Sequence, residues 1–121
     1  MYLKNEHFKQ VIDNYKTNYE DYKGLDFTRL SSKAMKAENN QFIMIIYINT
    51  IVLIYNKTLK KTILNTNGWQ TMTSKKWINH GLALTGFDHY IMQKDFKWFI
   101  VDGRDGTKPR DYRDGIELKT K

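Results

Sequence analysis

Apolar residues recur near the start of the chain at spacings of three and four. Leu3, His7, Phe8, Val11, Ile12, Tyr15, Tyr19 and Tyr22 fall on one helical face, with Glu6, Lys9, Gln10, Asp13 and Lys16 on the other. The pattern predicts an amphipathic helix over residues 4–23, stopped by Gly24, so that 1–24 forms a helical segment. The period is lost over residues 25–41. Leu25, Phe27 and Leu30 can anchor a turn, Glu38-Asn39-Asn40 has loop composition, and the segment is expected to be irregular.

From Phe42 the composition turns to Ile, Val and Tyr. Residues 42–50 and 51–56 are expected to be strands with a turn at Asn49-Thr50, or else one long bulged strand. Residues 61–66 form a further strand, closed by Asn67-Gly68, a pair that tolerates positive φ. Thr73 or Ser74 is the expected cap of a helix over about 75–84, whose Trp77, Ile78, Leu82 and Leu84 face the sheet. Residues 89–101 are β-like, with Tyr90, Met92, Phe96, Trp98 and Ile100 on one parity. A hairpin loop follows at Asp102–Gly106, and Tyr112–Leu118 returns as the last strand. The expected fold class is therefore α+β: an N-terminal amphipathic helix, then a mostly antiparallel sheet of about five strands with one helix packed on it. It is one domain over residues 1–121, with a sheet-rich core from 42.

Composition narrows the functional classes. The apolar runs at 42–48 and 51–55 fall far short of the ~20 residues a membrane helix needs, so no membrane association is expected. The first residues have no apolar stretch of a secretory signal, and cysteine is absent. Together these predict a cytoplasmic protein of a host cell, without disulfides, thiol nucleophiles or cysteine-bound zinc. The formal net charge is +7 and the distribution is uneven. Seven Lys/Arg meet six acids over residues 1–40, eight meet six over 91–121, but five lysines face Asp88 alone over 41–90. A basic chain prefers acidic partners such as nucleic acid, although Lys, Asn, Ile and Tyr enrichment also fits an AT-rich genome and a merely solvated surface.

Enzymatic motifs are scarce. His7, His80 and His89 have no metal-ligand spacing, and no phosphate-cradling glycine loop or nucleophile elbow occurs. No metal and no cofactor are expected. Asp95, Asp102, Asp105 and Asp114 could serve a small metal-dependent nuclease, but Arg104, Lys108, Arg110 and Arg113 are interspersed with them and favour mutual ion pairing. The constellation that stands out is Lys57, Lys60, Lys61, Trp69, Thr73, Ser74, Lys75, Lys76, Asn79 and His80. It joins point charges to hydroxyls at a helix start and to an aromatic beside a tight turn, a set suited to phosphate and base contact. For Trp69, a place in the core is the more ordinary use.

Four blocks carry a resemblance: Tyr47–Tyr55, Leu64–Asn79 with its Leu-Asn-Thr-Asn-Gly-Trp start, Gln93–Val101 beginning Gln-Lys-Asp-Phe, and Arg113-Asp114-Gly115-Ile116. Together, over about residues 28–118, they resemble a family of small uncharacterised proteins of phages and mobile elements of low-GC Gram-positive bacteria. Ile46-Tyr47-Ile48-Asn49 departs from that family's Ser-Tyr-Asn, and Ile116 stands where Met is frequent. The resemblance brings no catalytic residues; it implies a phage context, in which small proteins inhibit or redirect host machinery, anti-CRISPR inhibitors among them. The expected function is thus non-enzymatic: binding and inhibition of a host protein or nucleoprotein complex, with DNA or RNA contacted through the basic patch. A nucleic-acid-binding accessory protein of phage replication or transcription is the second reading, and the nuclease the third.

Overall fold

A computed structural model describes residues 25–48, 50–68, 70–104 and 108–119. Within them the chain forms β1 (Asp26–Arg29), β2 (Ala34–Glu38), β3 (Phe42–Tyr47), β4 (Thr50–Asn56), β5 (Lys61–Leu64), α1 (Met72–Leu84), β6 (His89–Lys94), β7 (Lys97–Asp102), β8 (Arg110–Asp111) and β9 (Glu117–Lys119). The strands build two antiparallel sheets: a six-stranded one in the order β1-β2-β3-β4-β5-β9, and a three-stranded one in the order β6-β7-β8.

This corrects the expected single sheet of about five strands. The extra strands arise where the pattern looked irregular: β1 and β2 occupy the 25–41 segment and extend the β3–β4 meander. The second sheet arises because β6, β7 and β8 pair with one another, while β9 leaves them and pairs with β5. The expected N-terminal helix lies outside the described residues, so no helix precedes β1 among those described. The helix after the strands and the antiparallel character stand.

β3 and β4 read as continuous apolar runs because both their faces are buried. One face, with Ile45, Val52 and Leu53, joins Leu64, Ile78, Leu82, Ile91, Trp98 and Ile100 in a core that both sheets and the helix share. The opposite face buries Ala37, Phe42, Met44, Ile46, Ile51 and Ile54, with Leu25 packed beside them. Doubly buried strands lose the alternation that marks a half-exposed sheet. A bulge reinforces this. Ile45 lies opposite Leu53 and Ile46 opposite Ile51, so Val52 is the extra residue, and it turns into the helix-facing core with Leu53. The β3–β4 turn is also one residue earlier than expected, since Tyr47 pairs with Thr50 and Ile48 takes φ 57°.

The helix starts earlier as well. Its cap is Thr71, whose Oγ1 accepts a hydrogen bond from the Ser74 backbone N–H at 3.1 Å, and neither Thr73 nor Ser74 plays that part. Ser74, Trp77, Ile78, Gly81 and Leu82 form its buried stripe at helical spacing. Leu84 faces outward instead, 46% exposed. Gly81 sets how closely the helix lies on the sheet: a Cβ there would stand 2.7 Å from Ile45 Cγ1 and 2.9 Å from Leu53 Cδ1. On another face of α1, the Asn79 amide bonds both backbone groups of Ile91. Its Oδ1 accepts from the Ile91 N–H at 2.7 Å and its Nδ2 donates to the Ile91 carbonyl at 3.1 Å. One residue type thus brings the helix onto the large sheet, and the other ties it to the outer strand of the small one.

In the β6–β7 hairpin the pairing of Lys94 with Lys97 leaves a two-residue turn, Asp95-Phe96, with φ 53° and 66°. That register buries His89 and Ile91 on β6 together with Trp98 and Ile100 on β7, so the expected common parity from Tyr90 to Ile100 breaks at the turn. Because Gly81 has no room for a side chain, Gly81→Val should destabilise the protein by about 1–3 kcal/mol through overpacking. Gly81→Ala should cost less, since better helix propensity returns up to about 1 kcal/mol. Urea unfolding of the two variants checks both the sign and the order.

Candidate functional site

The basic constellation expected from the sequence divides into two places. Lys57, Lys60 and Lys61 lie at the β4–β5 end of the large sheet. Lys57 donates to Glu38 Oε2 at 2.7 Å and to the Asn39 carbonyl at 2.8 Å, while Lys61 pairs with Glu117 at 3.3 Å. The Lys57 hydrogen bond, aided by Lys36 at 3.4 Å, holds the Glu38 carboxyl below its usual range. These two cations are therefore spent on neighbouring acids. Trp69 lies outside the described residues.

Lys75 and Lys76 are the fourth and fifth residues of α1, where the first turn closes, since Met72 is the first helical residue. Ser74 is buried and Thr73 exposed. Lys76 Nζ stands 5.1 Å from the centre of the Trp77 ring, and the His80 ring meets the same indole edge-on at 5.5 Å. Both cover an aromatic of the core. Asn79 is engaged with Ile91, which accounts for it as a fold-holding residue. Lys75 reaches across to β6, with its Nζ 3.5 Å from Gln93 Oε1. That contact joins the helix to a part of the chain outside the expected constellation: the hairpin carrying Lys94, Phe96 and Lys97. Among the described residues no carboxylate pairs with Lys75, Lys94 or Lys97. The β6–β7 register sets Lys94 opposite Lys97 on one face of the hairpin, while Lys75 reaches Gln93 on the other, and neither placement can be seen in linear spacing.

The acids once grouped as nuclease candidates are dispersed. Asp95 sits in the β6–β7 turn and Asp105 lies outside the described residues. Asp114 serves as a latch: its carboxylate accepts from the Thr66 N–H at 2.8 Å, the Thr66 hydroxyl at 2.9 Å, the Gly68 N–H at 3.1 Å and the Tyr112 hydroxyl at 2.6 Å. Backbone bonds run alongside, from the Gly115 N–H to the Leu64 carbonyl at 2.8 Å and from the Leu64 N–H to the Ile116 carbonyl at 3.2 Å. The Leu-Asn-Thr-Asn-Gly and Arg-Asp-Gly-Ile blocks, far apart in sequence, thus meet as one structural joint. Beside it a cavity of about 270 Å³ is lined by Tyr47, Ile48, Thr50, Thr66, Thr71 and Ser74, among others, which brings the first two blocks together. Among the described residues no group of three or more His, Asp or Glu side chains is placed to hold a metal ion.

Asp102 belongs to a third cluster. Arg104 donates to it through Nε at 3.0 Å and Nη2 at 2.9 Å, and these bonds hold the Asp102 carboxyl well below the usual carboxylate range. His89 Nε2 lies 3.4 Å from Asp102 Oδ2, with its ring buried against Phe87 at 5.7 Å between centroids. Its Nδ1 is buried without a hydrogen-bond partner among the described residues. Burial lowers the His89 pKa. Asp102 and Asp88 oppose that, while Arg104 and Arg110 add to it. This environment suits a neutral core histidine.

The helix and both sheets thus define a small antiparallel α+β protein in which Lys75 on α1 and Lys94 and Lys97 on the β6–β7 hairpin are among the described cations without an acidic partner. A model of the Kyanoviridae Gp96 protein family matches residues 5–119, and the chain belongs to that family. The match bears out the resemblance to phage proteins, but it does not extend to low-GC Gram-positive hosts or to CRISPR inhibition. No curated protein and no solved structure matches the chain. No helix among the described residues is long and apolar enough to cross a membrane.

Two outcomes follow from this geometry. Asp114→Ala removes the acceptor of several hydrogen bonds and leaves the Thr66 groups unpaired; since bonds to a charged group are worth ~1.5–3 kcal/mol each before solvent screening, a loss of about 2–4 kcal/mol is expected in chemical denaturation. Because folding lowers the His89 pKa, the folded protein binds fewer protons there than the unfolded chain. Stability from this group is complete above the ordinary histidine value of 6.5 and falls as the pH drops below it. Thermal melts from pH 8 down to about 5.5, a range in which histidine is the side chain that ordinarily titrates, should show this slope, and His89→Gln should flatten it.

Proposed function

We propose that this phage protein acts by binding, without catalysis, through the lysines of α1 and of the adjoining β6–β7 hairpin. Its target on this reading is nucleic acid within a host nucleoprotein complex in the cytoplasm, and occupation of that complex inhibits it, as an anti-defence protein would. The observation that carries the reading is the contrast between two groups of cations. Lys57 and Lys61 are paired with Glu38 and Glu117, whereas Lys75, Lys94 and Lys97 have no acidic partner among the described residues. Cations left unpaired on adjoining elements create a local field that attracts phosphate, and each phosphate neutralised releases counterions. The sign of the net charge, +7, favours contact with nucleic acid over imitation of it.

Polarisation titrations with duplex DNA, single strands and RNA test this. Log affinity should fall linearly with log salt, by about 0.9 per phosphate contacted on duplex and about 0.7 on single strands. A Lys75→Glu/Lys94→Glu variant should weaken binding at least tenfold and lower the salt slope by about two contacts' worth. Lys57→Glu/Lys61→Glu should weaken it much less, as those cations already have partners. Equal effects from the two pairs, or binding insensitive to salt, would overturn the assignment of these lysines.

A further inference from the structure

The tip of the β6–β7 hairpin is built against local preference. A two-residue turn with both φ values positive is the natural place for Asn-Gly or Asp-Gly, because a side chain beyond Cβ crowds the left-handed conformation. Here the second position is Phe96, at φ 66°, and its side chain is not buried in compensation: the residue is 93% exposed. The pair closing the turn is Lys94 opposite Lys97, two like charges directly across the ladder, an arrangement that weakens a hairpin. Lys75 reaches Gln93, the preceding residue of β6, from the opposite face of the strand.

Strain, an exposed aromatic ring and cross-strand repulsion all occur within four consecutive residues. None of the three helps the hairpin fold, and one class of ligand relieves the last two together: a polyanion that also offers flat apolar faces. We propose that this tip binds single-stranded nucleic acid, with the Phe96 ring stacked on an unpaired base and Lys94 and Lys97 on the flanking phosphates. The proposal rests on the nucleic-acid reading above and adds to it the form of the ligand and the residue that engages a base. A duplex presents base edges in its grooves, which are read by hydrogen bonding. Phe96 has no donor or acceptor in its side chain, and a ring that can only stack needs bases whose faces are free. The turn's one carboxylate, Asp95, disfavours phosphate at the apex and leaves that point to the base, with cations on either side.

The test uses the full chain, fluorescein-labelled single-stranded DNA and RNA of mixed sequence, and the matching duplexes. Single strands should bind more tightly than duplex, and an oligonucleotide carrying 2-aminopurine should change fluorescence on binding. Phe96→Ala and Phe96→Gly should lose about 5- to 150-fold in single-strand affinity, the range expected for one stacking contact, and should abolish the 2-aminopurine signal. Phe96→Trp should retain both. Phe96→Gly should at the same time raise the thermal midpoint, because glycine relieves the positive φ, so its loss of binding cannot be assigned to misfolding. If the Phe96 variants bind like wild type while Lys94→Glu/Lys97→Glu does not, stacking is overturned and the lysine assignment survives. If no oligonucleotide binds, or the lysine reversals change nothing, the nucleic-acid reading fails and this proposal with it. Capture of a host protein that depends on Phe96 without any oligonucleotide binding would make the tip a protein anchor and likewise overturn the proposal.

Discussion

The pairing of β9 with β5 is the contact on which the rest of the molecule depends. After Leu64 the chain leaves the large sheet, forms the helix and the whole of the small sheet, and returns only at Ile116. Closing so long an excursion costs conformational entropy that no local turn can offset. The joint that closes it combines backbone bonds between Leu64 and residues 115–116 with the Asp114 carboxylate gripping Thr66 and Gly68. Once its ends are fixed, the helix can lie on β3 and β4 only at the distance Gly81 permits, and the small sheet follows the helix through Asn79. The position of Gln93 within reach of Lys75 is a product of that sequence of constraints.

The elements with strong local signals could be read directly from the chain. The Asn67-Gly68 turn does adopt positive φ at both residues, and the buried stripe of the helix follows its period. Other features depend on tertiary context. β1 is four residues long and exposed throughout, so nothing in its own pattern marks it; it exists because β2 offers it an edge. Strands buried on both faces hide their alternation, and the bulge at Val52 disturbs what remains. The division into two sheets is beyond local reading altogether, since β9 is three residues long and its pairing with β5 is accompanied by the Asp114 bonds to Thr66, outside the strand.

For the candidate site, the sequence located the basic character but not its grouping. Linear proximity placed Lys57, Lys60 and Lys61 with Lys75 and Lys76, whereas folding pairs Lys57 and Lys61 with acids from distant strands and moves Lys75 beside β6. Asn79 and His80 belonged to the expected patch because they neighbour it in sequence. Their contacts, with the Ile91 backbone and the Trp77 ring, are internal. By its spacing Phe96 resembles one more strand residue; only the register of the hairpin, which puts it in the turn, separates it from Trp98 and Ile100. The grouping of charge in this protein is therefore a property of strand pairing as much as of composition.

The bond between Asn79 and Ile91 has a further consequence for how copies of the chain meet. An outermost strand ordinarily displays unpaired N–H and carbonyl groups, a template on which a foreign strand can add. On β6 the groups of Ile91 that point away from β7 are already taken by a side-chain amide, which stands in for one residue of a missing neighbour. A strand from a second molecule would have to evict that amide, and shift the helix carrying it, before the small sheet could lengthen on this side. On this one edge, a single asparagine occupies the backbone groups of Ile91 that an added strand would need.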